Sequence, residues 1–182
     1  MSKKIAVLVG SLRKDSYNLK VAKVFEKIAP SSLSLHIIQI GDLPLYNEDI
    51  DTQTPPPSYT RFRQEVADCQ GVIFITPEYN RGLPAAIKNA IDVGSRPYGK
   101  SVWSKKPAAV ISVSPGGIGG FGANHQLRQS LVFLDMPTLQ QPEAYFGGVS
   151  SAFDANGKIT AKSQEFLSAI INAYATWIEK LS

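Results

Sequence analysis

Apolar positions along this chain follow two rhythms, and the rhythms alternate. Residues 5–9 form a short unbroken apolar run rich in branched side chains, the pattern of a strand covered on both faces. Gly10 and Ser11 end it. Between residues 18 and 28, Val21, Phe25 and Ile28 recur at helical spacing and predict a helix with one face on a sheet. Residues 33–40 read as a second strand, and residues 41–57 as a long loop containing Pro55, Pro56 and Pro57. Ser58 is positioned to cap the next helix, whose Phe62, Val66 and Cys69 share a face. That places Cys69 in the core. Residues 72–76 predict a third strand, followed by a helix from about Pro84 to Val93 with the proline in its first turn. Residues 108–113 predict a fourth strand, and Leu127, Leu131 and Leu134 mark a helix after the glycine-rich segment 114–122. The fifth strand falls within residues 138–146. The last helix presents the stripe Phe166, Ile170, Tyr174, Trp177 and Leu181.

Five strands alternating with five helices predict an α/β fold, a five-stranded parallel sheet with helices on both faces, because a helix is the usual crossover between parallel neighbours. A ligand then belongs beyond the carboxyl ends of the strands, where strand order reverses. Those ends carry residues 10–18, 77–82 and 114–122.

Composition narrows the function classes. A chain of 182 residues fits one domain over residues 1–182, since roughly 100–200 residues per domain is usual. Its 43% apolar and 19% charged content is that of a globular chain with a sizeable core. The formal charge of +4 favours anions, yet the basic residues are dispersed, which argues against nucleic acid as a partner. Cys69 is the only cysteine, and with two histidines it provisions neither an internal disulfide nor a Cys/His metal site. The apolar run after the basic start is too short for a signal peptide or a membrane span, so a cytoplasmic protein without membrane contact is expected.

Three segments carry candidate chemistry. Residues 10–18, Gly-Ser-Leu-Arg-Lys-Asp-Ser-Tyr-Asn, lie between a strand and a helix. Unpaired N–H groups and a partial positive charge at a helix start stabilise a phosphate. Ser11, Ser16 and Asn18 add donors and Arg13 a charge; a plain helix cap at Ser16 with a solvated Arg13 is the alternative. Pro77, Glu78, Tyr79 and Asn80 open a stiff loop able to face a planar ring, or else make a simple strand-to-helix turn. In residues 114–122 most side chains are missing, so backbone can approach a ligand closely; a merely mobile loop would look the same.

Two formal glycine motifs compete with this reading. Residues 94–101 fit the phosphate-loop pattern of nucleotide triphosphatases, but they follow a helix where that loop must follow a strand. Gly117, Gly119 and Gly122 satisfy the dinucleotide pattern, with Glu143 the nearest candidate for its acidic partner. No Ser/His/Asp triad is apparent. His36 lies in a strand and reads as structural, His125 lies near the ligand edge, and Cys69 faces the core.

Together these segments resemble the NADPH-dependent FMN reductase family of flavodoxin-like proteins, closest to its bacterial quinone and chromate reductase branch. The Gly-Ser-Leu-Arg start with Ser16 and Asn18 is similar to that family's FMN phosphate loop, and Pro77-Glu78-Tyr79-Asn80 to its flavin-ring loop. Residues 88–92 and 127–135 continue the likeness, which spans residues 4 to about 148. The resemblance implies a flavodoxin-like fold with non-covalent FMN. Ser11, Arg13, Ser16, Asn18 and Leu19 would lie at its phosphate end, with Pro77, Glu78, Tyr79, Asn80, Ser114, Gly116 and Gly117 bordering the ring. It implies that the flavin carries the chemistry with no catalytic side chain, that NADPH or NADH is the electron donor, and that a small molecule such as a quinone, chromate, an azo compound or free flavin is the acceptor. It also implies a homodimer or homotetramer. The branch usually has an arginine and a tyrosine where this chain has Gly122 and His125, and a tyrosine where it has Arg81. An electron carrier of the same fold without a nicotinamide site is the alternative, disfavoured by the basic charge.

Overall fold

The computed structural model describes residues 2–181. Strands β1 (Lys3–Val9), β2 (Leu33–Ile38), β3 (Gly71–Thr76), β4 (Ala108–Val113) and β5 (Tyr145–Phe146) form one parallel sheet in the order β2-β1-β3-β4-β5. Helices α1 (Tyr17–Ile28), α2 (Pro57–Ala67), α3 (Ala85–Gly94), α4 (Phe121–Phe133) and α5 (Ala161–Lys180) cover both faces.

Alternation within the three central strands sorts the interior into two layers. Ile5, Val7, Ile73, Ile75, Ala109 and Ile111 pack under α1 and α5. Their neighbours Ala6, Leu8, Val72, Phe74 and Val110 pack under α2, α3 and α4 around the fully buried Trp103. Both faces are therefore dry, which is why these strands read as unbroken apolar runs. Tyr174 crosses from α5 to donate its hydroxyl to the Pro107 carbonyl at 3.0 Å, and Trp103 donates its indole N–H to the Ile91 carbonyl at 3.0 Å. Each large aromatic thus meets its polar requirement inside the core.

Several sequence expectations are corrected. The second strand stops at Ile38. Ser58 lies inside α2; Pro56 occupies the cap and Pro57 the first helical position, where a proline ring pre-sets the backbone and loses no hydrogen bond. Cys69 lies beyond the end of α2 but is buried, its thiol donating to the Glu65 carbonyl. Pro84 is the cap of α3, one residue outside the helix. The fifth strand shrinks to Tyr145–Phe146, with a separate bridge from Thr138 to Ala108. In α5 the buried face is Leu167, Ile170, Ile171, Tyr174, Ala175 and Ile178, so Phe166 and Trp177 flank it and Leu181 is exposed. His36 is exposed on β2, hydrogen-bonded to Ser34.

Loop 41–56 is fastened rather than free. The side-chain amide of buried Asn89 accepts from Tyr46 N–H at 2.7 Å and donates to the carbonyls of Leu43 and Pro44. Arg63 forks onto Asp51 at 2.8 and 2.6 Å, an ion pair whose carboxylate is almost fully buried. That guanidinium holds the Asp51 carboxyl below the usual carboxylate range.

Candidate functional site

Strand order reverses between β1 and β3, because the chain leaves β1 toward β2 and returns to β3 on its other side. The crevice of such a sheet opens there, at the carboxyl ends. Residues 10–18, 77–82 and 114–120 converge on it.

The first loop ends where Ser16, itself buried, caps α1 by accepting the Leu19 N–H at 3.2 Å. Among the described residues, the backbone N–H groups from Ser11 to Asn18 donate to no protein acceptor. They form a run of free donors at the positive end of a helix, the arrangement that receives a phosphate. Arg13 is exposed beside them. Asn18 is only 4% exposed, and its Oδ1 is a buried side-chain oxygen without a hydrogen-bond partner. With its carbonyl inward that amide takes a donor such as a hydroxyl; rotated half a turn about its last bond, it donates to a phosphate oxygen. Leu19 follows half-buried on the same turn.

The second loop is a tight reversal. Tyr79 and Gly82 exchange both backbone hydrogen bonds, at 3.1 and 2.8 Å, around Asn80 and Arg81. Those two residues have φ of 50° and 61°, the positive pair that a two-residue reversal of the type I′ kind requires. Asparagine tolerates this region, whereas arginine is strained in it by about 1 kcal/mol. Pro77 is buried, Tyr79 is half exposed and Asn80 is exposed, so the tip of the reversal lies at the surface.

Glu78 is anchored through its side chain. Its carboxylate turns toward α4, accepting the Ala123 N–H at 3.0 Å and pairing with Arg81 at 3.2 Å. Helix α4 begins after Gly120 and has no cap from its own chain segment, so Glu78 supplies the negative charge its start requires. Gly122 makes room for this: a Cβ there would stand 2.6 Å from the Arg81 carbonyl oxygen and 2.9 Å from Glu78 Oε2. The side chain thereby braces the second loop against the start of α4, where the third loop ends, and the Glu78 backbone N–H donates to no protein acceptor.

The third loop begins with Ser114, whose hydroxyl accepts the Gly116 N–H at 3.1 Å. Gly119 and Gly120 have φ of 67° and 75° and need glycine for that reason. Gly117 has neither reason: its φ is not positive, and a Cβ there would meet no protein atom within 4 Å. Its missing side chain leaves space over an exposed stretch of backbone. Beside this loop, His125 Nε2 lies 2.8 Å from the Tyr145 hydroxyl, which also lies 3.1 Å from Glu143. Phe121 packs on His125 with ring centroids 4.2 Å apart and the ring planes tilted by 38°. Burial, and then Glu143, raise the Tyr145 phenol above its usual range. The His125–Tyr145 contact joins α4 to β5 across 20 residues, and beside it Arg128 donates to the Asn124 side chain one helical turn back.

The competing motifs find no support. Residues 94–101 start at the last residue of α3 and lead through coil to Trp103, with no strand before and no helix after. Glu143 precedes β5 instead of closing it. Burial raises the Cys69 thiol, which also removes it from nucleophilic chemistry. Among the described residues there is no group of three or more His, Cys, Asp and Glu able to hold a metal ion.

A doubly wound parallel sheet with a donor-lined crevice at its switch point defines a flavodoxin-like mononucleotide-binding protein. Comparison with known proteins identifies the family: residues 3–151 match the NADPH-dependent FMN reductase model, and the chain belongs to that family. It is 61% identical over 175 residues to a quinone reductase of Pseudomonas putida, covering 96% of this chain and 94% of that protein. It is 43% identical over 179 residues to a 2-hydroxy-1,4-benzoquinone reductase of a Burkholderia species, covering 98% and 97%. The solved structure of FerB, a flavoenzyme NAD(P)H:(acceptor) oxidoreductase from Paracoccus denitrificans, superposes with a TM-score of 0.91 at 44% identity over 98% of each chain. Membership brings FMN as cofactor and a reduced nicotinamide nucleotide as electron donor.

Proposed function

We propose that this protein is an NAD(P)H-dependent FMN-containing reductase whose acceptor is a quinone or a similar small planar molecule. The observation that carries the reading is the ring of unpartnered backbone donors across three loops together with the open space above Gly117. Such a set fits a ligand with a phosphate at one end and a flat polar ring at the other.

Bound there, FMN supplies reversible two-electron chemistry that no side chain of the protein provides. The chain's part is binding and field. Residues 11–18 hold the phosphate through backbone donors, with Ser11, Ser16, Asn18 and Arg13 around it. Charge-assisted hydrogen bonds of this kind contribute about 1.5–3 kcal/mol each. The free N–H groups of Glu78, Asn80 and Gly117 would serve as donors to the bound ring, where such backbone groups stabilise negative charge on a reduced flavin. Pro77 and Tyr79 wall the ring, and Ser114 and Gly116 fix the loop beneath it. Leu19 closes the apolar side of the phosphate end. The mouth stays open to solvent at Asn80 and Gly117, so donor and acceptor can use the same face in turn.

The choice of quinone rests on the two relatives named for quinone reduction. Native protein, or protein mixed with FMN, should show flavin absorption that anaerobic NADPH bleaches and benzoquinone restores. A protein that stays colourless and leaves FMN fluorescence unchanged would refute the reading. Residues 1–182 then form one catalytic domain acting in the cytoplasm. Val132 and Phe133 are 78% and 84% exposed on α4, an apolar pair suited to burial between copies in a homodimer or homotetramer. No described helix is long and apolar enough to cross a membrane.

A further inference from the structure

Next to the phosphate end of the crevice, the outer face of α1 carries lysines that have no role in holding the flavin. Lys20, Lys23 and Lys27 follow one another along that face, and Lys14 joins them from the first loop. They line an open cavity of about 240 Å³ together with Phe153 and Gly157. Phe153 comes from a small reversal in which it bridges Ile159. Its ring stacks on Tyr17 at 6.4 Å, and Lys20 lies 5.2 and 5.8 Å from those two ring centres.

The charges are only partly compensated. Lys23 is paired with Glu26 at 2.9 Å, and Asp15 lies on the rim. Lys14, Lys20 and Lys27 have no carboxylate partner within ion-pair distance among the described residues. Three cations around a concave aromatic-backed cavity suit a compact dianion attached to a flat ring.

The cavity shares Lys14, Asp15, Ser16 and Leu19 with the segment that forms the phosphate end of the crevice. A nicotinamide dinucleotide is longer than FMN by an adenosine and a phosphate. Stacked on the flavin ring and running the same way, it would bring its diphosphate toward the FMN phosphate end and carry its adenosine past the first loop toward the cavity on α1. We propose that this lysine-lined cavity receives the 2′-phosphoadenosine end of NADPH and makes the enzyme prefer NADPH to NADH. The inference rests on the reductase reading above. Lysine suits the role because a phosphate on a mobile nucleotide tail needs compact charge more than a fixed fork.

The test uses FMN-loaded protein and two probes, 2′,5′-ADP and 5′-AMP, in calorimetric titrations at low salt. Wild-type protein should bind 2′,5′-ADP about tenfold more tightly, a preference that fades as salt rises, and the Lys20→Ala/Lys27→Ala variant should lose it. In that variant the KM for NADPH should rise about tenfold, with kcat and NADH kinetics unchanged. Equal affinity for the two probes in wild-type protein would overturn the proposal, as would discrimination that survives the double substitution. Weaker FMN binding in the variant would also overturn it, by assigning the lysines to the flavin phosphate. If neither NADPH nor NADH reduces the flavin, the reductase reading fails while the titrations still decide this one.

Discussion

Replacing Glu78 with alanine tests the brace between two of the three loops. The substitution removes the acceptor for the Ala123 N–H, leaving α4 without a cap, since Gly120 offers none. A hydrogen bond to a charged acceptor is worth about 1.5–3 kcal/mol, and loss of a helix cap costs about 0.5–2 kcal/mol. These describe the same contact, so they do not add. The pair with Arg81 adds little, because that arginine side chain is 72% exposed. The expected loss is about 2 kcal/mol, measured as urea unfolding of the flavin-free protein. With a slope of about 2 kcal/mol per molar, the midpoint falls by about 1 M. Glu78→Gln keeps an acceptor but not the charge and should lose about half as much. FMN should bind Glu78→Ala about tenfold more weakly by fluorescence titration, because both ring loops lose their mutual support. An alanine variant within about 0.5 kcal/mol of the parent would refute the brace.

Arg13→Ala should weaken FMN binding about tenfold or more by fluorescence titration; an unchanged dissociation constant places the phosphate elsewhere. In Gly10→Ala a Cβ would stand 2.5 Å from Ile87 Cγ1 and 3.0 Å from Pro77 Cδ, so thermal unfolding should reveal a loss of about 1–3 kcal/mol. Arg81→Gly relieves a positive φ at the second position of its reversal and should raise stability by about 0.5–1 kcal/mol in the same assay. Asp51 has its folded pKa held down by Arg63 and raises stability above the unfolded aspartate pKa; that contribution is lost as pH falls through the folded value. Parent minus Asp51→Asn unfolding free energies should therefore be positive at neutral pH and shrink toward strongly acid pH.

The sheet and its two layers were legible in the sequence because central strands carry their burial in every residue. In α5 the large residues Phe166, Trp177 and Leu181 drew the expected stripe one row aside. Leu167, Ile171, Ala175 and Ile178 make an equally apolar row, and only packing against the sheet selects between them. Ser58 looked like a cap, yet Pro57 already had the backbone geometry that starts a helix. At the crevice, the free donors of residues 11–18 follow from a strand, a turn and a helix start, all local features. The role of Glu78 depends on Ala123, 45 residues away, and the Asn89 clamp on loop 41–46 spans a similar separation. Contacts of that range leave no trace in periodicity.

The two edges of the sheet are unequally protected. Beside β4, the backbone of Pro137 and Leu139 takes both polar groups of Ala108, β5 covers Ser112 and Val113, and the chain between them carries Pro142. A strand from another molecule finds no continuous ladder there. Beside β2, six residues from Leu33 to Ile38 present an outer edge without a single charged side chain. That strand is the entrance for unwanted sheet growth when the protein is concentrated or heated, and a lysine in place of exposed His36 is the natural guard against it.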